Sequence, residues 1–342
     1  MALTLDRFPS SLPVQFWLLA LGCAVGFALL WWWTLGHRRW QRRRLLQRRL
    51  AELGRGAADP WQTPQPPAST ARGTSDVLHP RLLFVGDAAA NVAGLLQAGG
   101  ALPQKETASA PWQAWTQSAM TAIALGPGIA EDAEDSRARS LWLQGLLTLA
   151  EQRPALPLNG VVVCVAAQAL TQAPRGLAPL VQEAAQLLQL QLPVYLVITG
   201  LERLQGYAEV RAGLQPEVLA QALGHRLVEP DAGSGTAAQR VDALFAPLSA
   251  RLEALGMALV RDRPDPAARL AILRWVEQVV ALQAGLAALV DQLFVPGGSA
   301  RWRGLYLTAA ASETGRGAFA EDLFLHFLPD DQSLARPARH LR

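Results

Sequence analysis

Residues 14–35 contain no charged side chain. The run VQFWLLALGCAVGFALLWWWTL has the length that an α-helix needs to cross a hydrocarbon layer. Trp31, Trp32 and Trp33 crowd its end, where interfacial rings are expected. Directly after it come His37, Arg38, Arg39, Trp40, Gln41, Arg42, Arg43 and Arg44, then Arg48 and Arg49. The positive-inside rule therefore sets residues 1–13 outside and everything after residue 36 in the cytoplasm. A cleaved signal peptide would carry its basic residues before the apolar run and small residues after it. Here the order is reversed and Trp-Trp-Trp stands at the flank, so the segment reads as a retained anchor. An arginine cluster can also mark nucleic-acid binding. Beside a span it reads instead as a topology signal that meets anionic lipid head groups through Arg38, Arg39, Arg42, Arg43 and Arg44. Leu46, Leu50 and Leu53 recur at helical spacing, which extends the span into a basic juxtamembrane helix over 36–53.

Residues 54–79 are rich in Gly, Pro, Ala, Ser and Thr and read as a flexible linker. From Pro80 the pattern changes. Apolar runs at 82–85, 119–125, 160–165, 194–199 and 304–308 have the length and β-branched content of strands. GVVVCV at 160–165 is continuous, as a strand buried on both faces must be. Helical segments at 92–97, 136–152 and 177–190 alternate with these strands. The expected fold is α/β, a mostly parallel sheet with helices on both faces. Two long helices, 239–257 and 266–294, form an expected helical insertion at 216–294 before the last strand. A final helix over 318–327 precedes a polar tail at 329–342.

The stretch PRLLFVGDAAANVAGLLQAGG at 80–100 has the outline of a strand, a phosphate-binding bend and a helix. A working P-loop reads G-x-x-x-x-G-K-[ST]. Counted from Gly86, its second glycine falls on Asn91, its lysine on Val92 and its hydroxyl on Ala93. After the second strand a GTPase places an Asp near Mg²⁺ in D-x-x-G, whereas this chain reads Leu125-Gly126-Pro127-Gly128 with no acid before Glu131. After the fourth strand the expected [NT]-K-x-D is Thr199-Gly200-Leu201-Glu202. The cation for the phosphates, the metal ligands and part of the base reader are therefore missing, and no nucleotide, metal or other cofactor is expected. Gly86, Asn91, Val92, Ala93, Gly126, Thr199 and Glu202 are read as vestigial positions. Asp87 could hold a metal, but an acid in the cradle repels phosphate. Lys105 is the only lysine, and it lies past the helix in a Gly/Pro-flanked loop.

Four segments resemble the cytoplasmic domain of the IcmF/TssM family of type VI secretion inner-membrane proteins. LPLNGVVV at 156–163 is similar to that family's PLNGVVV signature, and LPVYLVIT at 192–199 to its LPVYLVVTK strand. LQGYAE at 204–209, RGLYLTA at 303–309 and the helix at 319–327 follow in the family's order. The resemblance covers about residues 80–327 and implies a GTPase-like domain at 80–328 hung from the bacterial inner membrane, with a short periplasmic tail at 1–13. It also implies partners: a TssL-like inner-membrane protein, a TssJ lipoprotein and the baseplate. Family members often carry GxxGxGK[ST], DTAG and TKxD, and this sequence departs from all three. A full-length member has a helical hairpin at its N-terminus, then a further span and a large periplasmic region after this domain. Here one span precedes the domain and the chain stops at Arg342, so the family's periplasmic contacts do not carry over. The expected function is a single-pass structural subunit with a pseudo-GTPase domain and no enzymatic activity. The alternatives are an unorthodox nucleotide-binding switch, or a regulatory paralogue that competes with a full-length TssM for cytoplasmic partners.

The remaining residues point to no other chemistry. His37, His79, His225, His326 and His340 are scattered without a Cys or acid at metal-ligand spacing. Glu131, Asp132, Glu134 and Asp135 precede a helix, where acids favour the N-terminal dipole. Their sharper reading is a contact for a basic partner. Cys23 and Cys164 are expected to be buried thiols. No Ser/His/Asp arrangement follows from spacing, and no nucleic-acid partner is expected.

Overall fold

The central strands are apolar on both faces, so both faces of the sheet must be covered. The computed structural model describes residues 12–54, 79–104, 111–131, 135–172, 176–231, 235–310 and 317–338. Helix α1 (Leu12–Gly54) comes first, then β1 (Arg81–Gly86) and α2 (Val92–Ala98). Next follow β2 (Leu102–Pro103), β3 (Trp112–Thr116), β4 (Thr121–Leu125), α3 (Pro127–Glu131) and α4 (Ser136–Gln152). The middle of the chain supplies β5 (Gly160–Ala166), α5 (Leu177–Leu187), β6 (Leu190–Thr199), α6 (Tyr207–Gly213), α7 (Pro216–Ala220) and β7 (Leu223–Asp231). Helices α8 (Ala237–Asp262) and α9 (Pro266–Leu293) precede β8 (Ala300–Leu307), and β9 (Arg336–Pro337) closes the order.

The fold is α/β with a mixed, mostly parallel sheet in the order β2-β3-β4-β1-β5-β6-β8-β7, while β9 pairs with the start of β6. Strands β4, β1, β5, β6 and β8 are parallel neighbours, and β3 and β7 run antiparallel at the two sides. Because side chains alternate across a strand, Leu83, Val85, Val161, Val163 and Val165 enter one core with α4, α5, α8 and α9. Leu82, Phe84, Val162 and Cys164 enter the other, where α2 and Phe324 cover them. Phe84 and Phe324 stack at 5.7 Å between centroids.

Local signals explain where α4, α8 and α9 begin. Asp135 caps α4 by accepting from the Ala138 N–H at 3.2 Å, the role that short acids take at a helix start. Thr236 and Gln239 form a reciprocal capping box on α8. Asp265 caps α9, whose first residue is Pro266.

Four parts of the chain differ from the sequence reading. The antiparallel strand β3 lies where no strand is expected, because its turn to β4 runs through Gln117 to Met120 without Gly, Pro, Asn or Asp to announce it. The expected helical insertion at 216–294 is interrupted, since after the short α7 the strand β7 occupies Leu223–Asp231 and pairs with β8, and the long helices begin at Ala237. The final helix starts later than residue 318. Ala318 bridges Ala309, Phe319 takes a left-handed φ of 63°, and a π-helical turn spans Leu323–Phe327. The polar tail also contributes structure as far as β9, where the Ala338 N–H donates to the Gln189 carbonyl.

Helix α1 is continuous for 43 residues, about 65 Å at helical rise. Its first part projects from the domain. Phe16, Trp17, Leu19, Leu21, Phe27 and Leu30 are 58–71% exposed, and between residues 16 and 31 the exposed apolar surface runs round the helix. Cys23 is exposed there, contrary to the expectation of a buried thiol, whereas Cys164 is fully buried. Length and composition alone do not make this stretch unique, because α8 and α9 are also long and apolar enough to cross a membrane, with mean hydropathies of 1.4 and 1.3. Those two are amphipathic. Val241, Phe245, Leu248, Ile272, Trp275 and Leu286 are buried, while Arg251, Glu253, Arg261, Arg274 and Glu277 face out, the pattern of a core helix.

The second part of α1 docks on α4. Leu46 is fully buried and Leu50 is half-buried against the main core. Arg42, 4% exposed, donates from Nη1 to the Pro154 carbonyl at 3.0 Å, and Arg43 lies 3.4 Å from Glu151. Arg42 is therefore committed to the domain, which corrects its reading as a lipid contact. The Arg44 guanidinium stacks on Trp40 at 4.6 Å. The side chains of Arg38 and Arg39, the expected linker beyond Gly54, Lys105, Asp132 and Glu134 lie outside the described residues.

Candidate functional site

In an open parallel sheet, a crevice forms beyond the C-terminal ends of the strands where the chain order reverses. Here β1 lies between β4 and β5, so that point is the bend after β1. Gly86 opens it. A Cβ there would sit 2.9 Å from both the Cys164 carbonyl oxygen and Val92 Cγ2, so only glycine lets β1 pass this close to β5 and α2. Asp87 accepts from the Ala90 N–H at 2.9 Å and caps a single 3-10 turn. Asn91 adopts φ 47°, an αL geometry that Asn tolerates, and its side chain accepts from the Gly94 N–H at 3.2 Å.

A phosphate cradle needs backbone N–H groups free to point at the ligand. In this bend three of them are used within the protein. The Ala88 N–H donates to Glu131 Oε1 at 2.9 Å, the Ala90 N–H to Asp87, and the Asn91 N–H to the Ala88 carbonyl at 3.2 Å. The neighbouring loops tie to the bend as well. Thr199 Oγ1 donates to the Ala90 carbonyl at 2.8 Å, and Arg203 Nη1 to the Ala89 carbonyl at 3.3 Å. Glu202 accepts from the Ala310 N–H at 2.9 Å and lies 3.7 Å from Arg203. What remains between these loops is a cavity of about 10 Å³ lined by Ala90, Asn91, Thr199, Gly200, Glu202 and Arg203 among others, room for about one water.

Asn91, Thr199 and Glu202 are thus brought together. Val92 is buried in the core under the bend, Ala93 is exposed on α2, and Gly126 donates its N–H to the Pro111 carbonyl at the start of α3. Neither the Val92 nor the Ala93 side chain supplies a group that could take phosphate or metal. Glu131 and Arg203 are members of this arrangement that the sequence reading did not assign. Glu131 was legible as the first acid after β4, and Arg203 only by its place four residues past the end of β6. Beneath the bend, burial pushes the Cys164 thiol well above its usual range, and the Asp87 charge adds to the effect. It is an inert core thiol.

A second polar cluster lies on the α2 side of the sheet. Arg303 forms two bonds with Asp331 at 2.7 and 2.8 Å, and Tyr195 donates its hydroxyl to the same carboxylate at 3.0 Å. Arg303 also donates to the Leu227 carbonyl. One buried acid thereby holds β6, β7, β8 and the C-terminal segment together. Burial first, and the Asp331 charge second, push the Tyr195 hydroxyl up from its ordinary value. Among the described residues no group of three His, Cys, Asp or Glu is placed to hold a metal ion.

The profile of the IcmF-related N-terminal domain matches residues 135–342, from the cap of α4 to the last residue. Over 239 residues, 65% of this chain, the sequence is 26% identical to type VI secretion system component TssM1 of Pseudomonas aeruginosa. The match covers 21% of that protein, so the chain spans about a fifth of the relative's length. The matched profile takes in the strands β5, β6 and β8 with the loops that close over the bend, and the chain belongs to the IcmF-related N-terminal domain family.

Proposed function

We propose that this chain is a membrane-anchored structural component of a type VI secretion system, with a GTPase-like α/β domain that docks partner proteins and binds no nucleotide. The observation that carries the second half is the use of the Ala88, Ala90 and Asn91 N–H groups by the protein itself. Where a nucleotide domain keeps a phosphate cradle and a lysine, this one has a carboxylate, a buried valine and a cavity of about 10 Å³. The central position of β1 between β4 and β5 supports a GTPase-like origin. Family membership and the similarity to TssM1 support the secretion-system assignment.

Residues 14–35 of α1 cross the bacterial inner membrane once, with the arginines and the α/β domain on the cytoplasmic side. A helix apolar on all sides and exposed on all sides needs a hydrocarbon surrounding. Both α8 and α9 stay in the domain core. The partners are a TssL-like inner-membrane protein and baseplate components, with a full-length TssM as a further one. The test is purification of the full chain from membranes of cells that express the remaining secretion components. Recovery of a TssL-like or baseplate protein is the expected result. Recovery of the chain alone, from membranes in which those components are present, argues against the assignment.

A further inference from the structure

The docking of α1 decides which end of the sheet meets the membrane. Arg42 and Arg43 contact Pro154 and Glu151 at the C-terminal end of α4, and Leu46 and Leu50 continue into the core beyond them. That end of α4 lies beside the start of β1, because Arg81 Nη1 donates to Gln152 Oε1 at 3.1 Å and Arg153 Nη1 to the His79 carbonyl at 3.1 Å. Asn159, just before β5, accepts from the Arg81 N–H at 2.9 Å. The helix thus enters at the N-terminal pole of the parallel strands. The bend with Gly86, Thr199 and Glu202 is at the opposite pole.

We propose that the N-terminal pole of the sheet rests on the anionic head-group surface of the bilayer, and that the degenerate bend faces away from it. This rests on the reading of residues 14–35 as the span. From Leu35 to Arg42 a continuous helix rises about 10 Å, while the head-group layer beside the hydrocarbon is about 5–8 Å thick. The pole therefore stands within about one Debye length of the lipid charges, roughly 8–10 Å. Arg43 and Arg153 lie on it, and Arg336 is exposed on β9 beside the start of β6. Glu151 is engaged by Arg43, and Asp291 is exposed in the last turn of α9, near the start of β8. The docked helix leaves no joint between membrane and domain. The bend, about 17 Å further along β1, is left for cytoplasmic partners.

The test uses the full chain in vesicles of phosphatidylcholine with phosphatidylglycerol, on a Cys23→Ala background. One fluorophore is placed at Ala155→Cys, an exposed loop position next to Pro154, and another at Gly128→Cys on α3, where a side chain meets open space. The quencher is a nitroxide carried on the lipid head group. Across a separation of about 17 Å, quenching at Ala155→Cys is expected to exceed that at Gly128→Cys by at least about fivefold. Carbonate extraction of the same vesicles reports insertion. Equal quenching at the two positions in carbonate-resistant protein overturns the orientation alone. Protein that carbonate removes overturns the span reading and this proposal together.

Discussion

Replacing Leu46 with alanine tests whether α1 is part of the domain or merely tethered to it. Leu46 is fully buried, and its neighbours in the contact are half-buried Leu50 and the Arg42–Pro154 hydrogen bond. Burial of a leucine side chain contributes about 2–3 kcal/mol. Truncation in a core costs about 2–5 kcal/mol. Here α1 lies on the outside of α4 and can settle into the gap, so the lower part of that range applies, about 2–3 kcal/mol. The hydrogen bond from the buried guanidinium contributes roughly 1.5–3 kcal/mol, and Arg43–Glu151, exposed on both sides, little. Leu46 therefore supplies near half of what holds α1 down. Its loss should raise the opening of that helix about 30- to 150-fold, at a tenfold change per 1.4 kcal/mol. Amide hydrogen exchange over residues 43–52 of the full chain in lipid nanodiscs reads this directly. The control is Leu45→Ala, 39% exposed on the same helix, which should change stability by no more than about 0.5 kcal/mol. Exchange in Leu46→Ala that stays within about twofold of the parent, a few tenths of a kcal/mol, would refute the docked arrangement.

Three further outcomes follow from the same contacts. Asp331→Ala leaves Arg303 buried without its carboxylate and should cost about 3–5 kcal/mol in chemical denaturation; a loss under about 1 kcal/mol would remove the clamp from the account. Glu131→Ala frees the Ala88 N–H at an exposed site, so exchange of that amide should quicken while stability falls by about 1 kcal/mol or less; unchanged exchange would mean that Glu131 does not close the bend. Burial raises Tyr195, Tyr306 and Cys164 above their ordinary values. The folded state therefore holds these protons more tightly than the unfolded chain, whose groups ionise near 10 for Tyr and about 8.5 for Cys. The stability they contribute is complete below those values and is lost as pH rises beyond them. Denaturation midpoints should be flat in this respect up to about pH 8 and fall steadily above pH 10, and a midpoint that holds at high pH contradicts the buried placement.

The parallel centre of the sheet was legible because its strands are continuous apolar runs. GVVVCV and LPVYLVIT admit no solvent-facing side, and the structure buries both faces of β5 and β6. The helices with strong caps were legible for the same local reason, α4 above all. What escaped were the antiparallel strands. In β3 the turn lacks punctuating residues, and in β7 the run LGHRLVEPD mixes polar and apolar positions that make sense only beside β8. Sequence spacing located the bend after β1 but not its closure. Glu131 and Arg203 come from other loops, and only the folded sheet brings them to Ala88 and Ala89. The arginines after the apolar run were the reverse case. Their number suggested one shared role, yet the structure separates Arg42, which anchors to Pro154, from Arg44, which stacks on Trp40. Helical phase makes that division, since Arg42 and Leu46 are four residues apart on one face.

The most direct test of the account is equilibrium binding of Mg-GTP and Mg-ATP to the full chain in nanodiscs. With the Ala88, Ala90 and Asn91 N–H groups engaged, no lysine at Val92 and space for about one water, no saturable binding is expected up to millimolar nucleotide. Saturable binding in the micromolar range, abolished by Asn91→Ala or Glu202→Ala, would contradict it.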